Sequence, residues 1–124
     1  MRATHVRAIR GATTVERDSA DDIRAATQAL LTEMAARNAI HPADVISAVF
    51  TVTGDLKAEF PARAARDLGW LDVPLLCTVE IPVPGALPRC IRVLLHIETT
   101  RARDAIEHVY LAGARTLRPD LLRD

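Results

Sequence analysis

Apolar and β-branched residues alternate with polar ones, or run almost unbroken, in four short segments of this chain. These segments predict four β-strands, at residues 5–12, 45–53, 73–81 and 91–98. The second segment is apolar enough to be covered on at least one face. A proline-rich stretch, 82–88, is typical of a rigid loop between the last two strands.

A long amphipathic helix is predicted between the first two strands. Ser19 and Asp22 have the spacing of a capping box, in which the Ser19 side chain caps the first helical turn. The residues that follow keep one helical face apolar: Ile23, Ala26, Leu30, Leu31 and Met34. The segment 38–42 is expected to end this helix.

Weaker signals mark the remaining segments. A short helix is expected to begin near Pro61 and to end at Gly69. Residues 103–108 are expected to form a turn or two of helix. Residues 109–117 fit either a helix or a strand, and Gly113 favours the strand. Because strands and helices are mixed along the sequence, we predict a single α/β or α+β domain over residues 1–124.

Composition and charge narrow the range of functions. The chain has 124 residues, and its 16 basic and 16 acidic residues cancel, so nucleic acid is not an expected partner. No apolar run approaches the roughly 20 residues that cross a bilayer, and no apolar stretch follows the first charge, so neither a membrane span nor a signal peptide is expected. Cys77 and Cys90 form no CxxC motif, which favours a reducing, cytoplasmic setting.

Three ionisable side chains lie in otherwise apolar predicted strands. Arg10 stands at the end of the first, just before a turn expected at Gly11, while Glu80 and Arg92 belong to the third and fourth. Such charges on rigid elements suggest a cleft for a small charged ligand, and guanidinium groups match carboxylates bidentately. Alternatively, Arg10 extends to solvent, and Glu80 and Arg92 form a salt bridge across neighbouring strands or point to solvent.

Other candidate residues have simpler interpretations. Tyr110 alone is typical of a core residue with its hydroxyl at the surface, and Cys77 and Cys90 of small buried side chains. The four histidines are too scattered to predict a metal site. Glycine-rich nucleotide-binding loops and a nucleophile elbow are missing from the sequence, which argues against those chemistries.

Several ordered motifs nevertheless resemble one family. They are Arg10-Gly11-Ala12-Thr13-Thr14-Val15-Glu16-Arg17-Asp18, Phe60-Pro61-Ala62-Arg63-Ala64-Ala65-Arg66, Gly69-Trp70, Val73-Pro74, Cys77 with Glu80, Cys90-Ile91-Arg92-Val93, His108-Val109-Tyr110-Leu111 and Leu117-Arg118-Pro119-Asp120-Leu121. The family is that of the homotrimeric, monofunctional chorismate mutases, and the resemblance runs from about His5 to Leu121.

The resemblance implies an α+β fold, a mixed β-sheet flanked by helices, assembled as a pseudo-α/β-barrel trimer. It further implies conversion of chorismate to prephenate by an intramolecular Claisen rearrangement in aromatic amino-acid biosynthesis. Neither a cofactor nor a metal is expected to take part, and neither nucleic acid nor a membrane is an expected partner. The active sites are expected in the clefts between adjacent subunits.

Site residues follow from the same resemblance. Arg92, Glu80, Arg10 and Tyr110 are expected to line one side of the cleft as catalytic residues. The neighbouring subunit is expected to contribute Phe60, Ala62, Arg63 and Arg66. The wall is expected to be completed by Leu75, Leu76 and Cys77, with Leu117 and Arg118 closing over it. Relatives can carry Lys at the position of Arg63 and Thr at that of Leu76.

Two other functions use similar features. A trimer with the same Arg cluster would bind a small dicarboxylate for regulation without turning it over. A small trimeric enamine/imine deaminase would also hold a carboxylate with an intersubunit Arg, although no motif of that family is present. Binding without turnover would select the first, and turnover of 2-aminoacrylate-type imines the second.

Overall fold

The computed structural model describes residues 3–119. Its strands are β1 (His5–Thr14), β2 (Val45–Val52), β3 (Leu75–Val79), β4 (Cys90–Thr99) and β5 (Val109–Tyr110), and its α-helices are α1 (Ala20–Asn38) and α2 (Ala62–Asp67). Short 3-10 helices cover Pro42–Asp44, Arg103–Ala105 and Ala112–Thr116. Asp120 and Leu121, the last two residues of the final family motif, lie outside the described residues.

All five strands form one mixed sheet in the order β3-β2-β4-β1-β5. The central strand β4 runs antiparallel to both neighbours, β1 and β2, whereas the outer strands β5 and β3 run parallel to theirs. The α+β class and the mixed sheet are therefore confirmed.

Both helices cover the same face of this sheet. Ile9, Phe50, Val93 and Leu95 point from three strands into one buried cluster with side chains of the two helices, among them Leu30, Met34, Ala62 and Ala65. Successive strand residues face opposite sides, so the alternate residues of β1, β2 and β4 lie on the other face, which we call the open face.

Helix α1 begins where its capping residues predict. The Ser19 side chain accepts a hydrogen bond of 3.0 Å from the Asp22 backbone N–H, and the buried face of the helix carries Ile23, Leu30, Leu31 and Met34. The helix ends at Asn38, and Ala39 follows with a left-handed backbone (φ 52°). The predicted helix is confirmed at both ends.

Gly11 does not form the turn that was expected from the presence of a glycine at this position. It lies inside β1, paired with Val93 of β4 and Val109 of β5. A Cβ atom at Gly11 would stand 2.3 Å from the Sδ of Met34 and 3.2 Å from a methyl carbon of Leu30. The prediction of a turn was wrong because this glycine serves close packing of α1 on the sheet, and Arg10 is consequently a mid-strand residue.

Several other element boundaries also differ from the predictions. β3 is shorter than the predicted strand 73–81, since Pro74 precedes it and the Glu80 backbone makes a single further bond to Val52. Gly113 lies in the 3-10 helix Ala112–Thr116 and not in a strand. Its N–H donates to the Thr14 hydroxyl, a contact between distant segments that composition does not reveal.

The packing at Gly11 predicts the effect of adding one methyl group. Gly11→Ala is expected to lower the free energy of unfolding by about 1–3 kcal/mol, because the new methyl group would displace the fully buried side chains of Met34 and Leu30. Gly54→Ala is the matched control, since nothing lies within 4 Å of its Cβ position. Chemical denaturation measures both, and equal stability of the two variants would contradict this account of the packing.

Candidate active site

The register of the sheet places one residue from each strand in a single row. Thr78, Thr51, Arg92, Ala12 and Tyr110 stand side by side from β3 to β5. The next row places Leu76, Val49, Leu94 and Arg10 side by side. These two rows bring side chains from distant parts of the sequence together on the open face.

A cavity of about 260 Å³ lies over these rows. That volume is slightly below the range of about 300–1,000 Å³ typical of small-molecule pockets. Four of the residues that the resemblance assigns to catalysis line it together, namely Arg10, Glu80, Arg92 and Tyr110. Val49, Thr51 and Leu94 also line it, so its lining combines two cations and an anion with apolar surface.

Arg92 and Glu80 form an ion pair inside this cavity. The Arg92 Nη1 lies 2.8 Å from the Glu80 Oε2, and their side chains are 52% and 25% exposed. The expected salt bridge therefore exists, but not across neighbouring strands, because β2 lies between β3 and β4. The salt bridge and the cleft were given as alternative interpretations, but both hold, because the same ion pair lines the cavity.

Arg10 and Tyr110 lie on the adjacent strands β1 and β5. The Arg10 backbone N–H donates to the side-chain Nδ1 of His108 at 3.0 Å, just before the pairing of β1 with β5 begins. Tyr110 is 7% exposed and packs against Ala12 and Ala114 while it lines the cavity. The contacts with Ala12 and Ala114 hold the Tyr110 ring in place, and Tyr110 is a buried residue.

A second cavity, of about 290 Å³, holds a different part of the assigned site. Phe60 and Cys77 line it, and Phe60 is 72% exposed. The loop that leads to Phe60 is held by the Asp18 carboxylate, which accepts from the backbone N–H groups of Lys57 and Ala58 at 2.9 and 3.0 Å. Within one chain, Phe60 and Cys77 therefore line a different cavity from Arg92.

The other assigned residues surround these two cavities. Ala62 is buried in α2, while Arg63 and Arg66 are exposed on it, with the Arg63 Nε 3.9 Å from the Asp67 carboxylate. Leu75 packs against the main core, whereas Leu76 is 62% exposed. Leu117 lines a further cavity together with Glu80 and Arg92, and Arg118 follows it.

Neither cysteine has the features of a nucleophile. Burial raises the pKa of the Cys90 thiol to about 11, despite the nearby positive charge of Arg92. Burial also raises the pKa of Cys77, although a hydrogen bond from the Ala62 backbone and the charge of Arg66 oppose it. Among residues 3–119, His, Cys, Asp and Glu side chains form no group of three that could hold a metal ion.

Three contributors to the site were missed in the sequence. His108 was classed as a scattered histidine and otherwise named only within a motif, as was Asp18, and Thr51 was only part of a predicted strand. Each role depends on a distant contact. His108 bonds to a residue 98 positions away, Asp18 bonds to residues about 40 positions away, and Thr51 pairs with a residue on a neighbouring strand. The alternation within β2 could have placed Thr51 beside Val49 on one face, but not next to Arg92.

Comparisons with known proteins agree with this fold. Residues 6–121 match the family model for chorismate mutase type I. The chain is 52% identical to chorismate mutase AroH of Thermus thermophilus over 117 residues, covering 94% of this chain and 96% of the relative. For chorismate mutase AroH of Bacillus subtilis, the identity is 46% over 117 residues, with coverage of 94% and 92%.

A solved structure gives the same answer. A chorismate mutase from Clostridium thermocellum superposes with a TM-score of 0.87 at 54% identity, covering 88% of this chain and 97% of that one. The mixed sheet and its two helices define an α+β fold, and one face of the sheet carries a charged cavity. The chain belongs to the chorismate mutase type I family.

Proposed function

We propose that this chain is an isomerase that converts chorismate to prephenate by an intramolecular Claisen rearrangement, as part of aromatic amino-acid biosynthesis. Membership of the family supports the reaction. The observation that carries the mechanism is the cavity in which Arg92, paired with Glu80, lies with Arg10 and Tyr110.

The first task of such a site is to select one conformer. Chorismate is a dianion that must fold into a compact chair before its two reacting ends meet. Arg10 and Tyr110 come from the adjacent strands β1 and β5 and line the same cavity, so we assign them to carboxylate binding. Holding the folded conformer supplies part of the acceleration, because the reaction is unimolecular and depends on orientation.

The second task is to stabilise charge that appears only in the transition state. The ether C–O bond breaks ahead of C–C bond formation, so negative charge grows on the ether oxygen. Arg92 carries a permanent positive charge on a rigid central strand, and we assign it to that oxygen. Glu80 would accept a hydrogen bond from the ring hydroxyl and place negative charge near the electron-poor ring. No cofactor is needed for these steps.

We further propose that the complete site forms between two subunits of a homotrimer. Phe60 and Cys77 line a different cavity from Arg92, although the resemblance assigns all three to one cleft. The 72% exposure of Phe60 and the 62% exposure of Leu76 support an approaching partner surface. In this arrangement Ala62, Arg63 and Arg66 come from the neighbour, and Leu75, Leu117 and Arg118 complete the wall and the closure.

We place the enzyme in the cytoplasm because its two cysteines, Cys77 and Cys90, are both free thiols. Among residues 3–119, neither helix combines the length and the apolar composition needed to cross a membrane.

Replacing Arg92 tests the mechanism. Arg92→Ala is expected to lower kcat/KM, because it removes roughly 3 kcal/mol or more of transition-state stabilisation. That is the effect of losing one strong hydrogen-bond donor to an oxyanion. Arg17→Ala is the control, because Arg17 is 78% exposed and pairs with Asp22 at the surface. Chorismate consumption at matched folded concentrations measures the effect. A folded Arg92→Ala variant with wild-type turnover would remove Arg92 from the mechanism.

The reaction is expected to be nearly independent of pH around neutrality, because no proton is transferred in the rearrangement. The thiols do not alter this expectation, since burial raises the pKa values of Cys77 and Cys90 and keeps both protonated there. The measurement is kcat/KM between about pH 6 and 8. A bell-shaped profile centred near neutrality would indicate acid–base chemistry instead.

Mixed assemblies test the shared site. Arg92→Ala and Arg66→Ala impair opposite halves, so each variant alone is expected to have low activity. A trimer refolded from an equal mixture should recover about a quarter of the wild-type activity, because that fraction of interfaces joins two intact halves. Light scattering gives the assembly size. A fully active monomer, or no recovery in mixed trimers of two separately impaired variants, would contradict a site shared between subunits.

A further inference from the structure

Thr51 stands next to Arg92 in the centre of the sheet. The two residues are direct cross-strand partners between β2 and β4, in the row that ends at Tyr110. Thr51 lines the cavity that contains Arg10, Glu80 and Arg92. Side chains of directly opposite strand residues have Cβ atoms about 4.5–5.5 Å apart, so the Thr51 hydroxyl is within reach of the Arg92 side chain.

The hydroxyl oxygen of Thr51 is buried and unpaired. Within residues 3–119 it is the one buried side-chain nitrogen or oxygen atom without a hydrogen-bond partner. By contrast, the buried Thr27 hydroxyl donates to the Ile23 carbonyl oxygen at 2.7 Å. Buried polar groups are almost always paired, so an unpaired hydroxyl beside a charged cavity points to a partner that arrives in another state of the site.

Arg92 has the donors that this oxygen lacks. A guanidinium group carries five N–H donors, and the contact seen for Arg92 is the pair from its Nη1 to Glu80. Because that oxygen is shielded from solvent by protein atoms, the rotation of a neighbouring side chain is the simplest way to give it a partner.

We propose that Thr51 is a positioning residue for Arg92. When substrate engages Glu80 through the ring hydroxyl and Arg92 turns toward the ether oxygen, the Thr51 hydroxyl oxygen accepts an N–H of the guanidinium. This bond fixes the direction of the cation at the moment when charge develops. The inference rests on the proposed function, since it assigns Thr51 to the orientation of the group that stabilises the transition state.

The kinetic signature separates this role from substrate binding. A group that only orients Arg92 affects the transition state more than the bound ground state, so its loss lowers kcat and leaves KM nearly unchanged. Thr51→Val keeps the shape of the side chain and removes the hydroxyl, and we expect about a tenfold loss of kcat, the effect of one hydrogen bond to a charged group. Thr51→Ser retains the hydroxyl and should recover most of that loss.

Ser47→Ala is the matched control on the same strand and the same face. The Ser47 hydroxyl lies 3.2 Å from the Nδ1 of His96, two rows away from Arg92, and does not line the cavity. We expect it to have near wild-type kcat. Melting temperatures check that each variant is folded, and Thr51→Ala replaces Thr51→Val if the valine variant does not fold.

The deciding measurement is a double-mutant cycle with Arg92→Ala, assayed at high enzyme concentration with prephenate quantified. If Thr51 acts through Arg92, Thr51→Val should have no further effect on kcat in the Arg92→Ala background. An equal tenfold loss in both backgrounds, a loss confined to KM, or wild-type kcat in Thr51→Val would overturn the inference. Wild-type kcat in Arg92→Ala would overturn the proposed mechanism as well, so the two failures are distinguishable.

Discussion

The pairing of β4 with both of its neighbours is the constraint on which the site depends. β4 is antiparallel to β1 and β2, and these pairings place Arg92 between Ala12 and Thr51. Because side chains alternate between faces, the same register points Val93 and Leu95 into the core. A slip of one residue would exchange the two faces, exposing the core and burying the guanidinium. The apolar core therefore enforces the geometry of the charged cavity.

The ion pair in this cavity has more bearing on chemistry than on stability. The Arg92 side chain is 52% exposed, and pairs of this kind contribute about 0–1 kcal/mol to folding. In the proposed trimer, an adjacent subunit would cover the pair and exclude water, and the same charges would then act more strongly on a bound dianion. A site divided in this way would reach its full electrostatic strength only after assembly.

Local signals in the sequence predicted the local structure well. The capping box at Ser19 and the apolar face through Met34 predicted α1 at both ends, and alternation predicted the centres of β1, β2 and β4. The errors arose where a residue serves a distant contact: Gly11 makes room for Met34, and Gly113 donates to Thr14. Strand order was equally hidden, so β2 was not expected between Glu80 and Arg92.

The site was less predictable than the fold. Single charges in apolar strands marked Arg10, Glu80 and Arg92 as candidates, but only the family resemblance suggested that they converge. The structure shows that they line one cavity, because the register aligns strands separated by many residues. Thr51 and His108 had no local signal, since a threonine in a strand and a lone histidine are both ordinary. Their significance depends on which side chains or backbone groups stand next to them.

The most direct test is whether the purified wild-type protein consumes chorismate. Consumption is measured as the loss of the ultraviolet absorbance of chorismate, and prephenate is identified as the product. We expect saturable conversion without any added cofactor. A folded protein that binds chorismate and leaves it unchanged would contradict the account, and would indicate a carboxylate-binding module built on the same sheet.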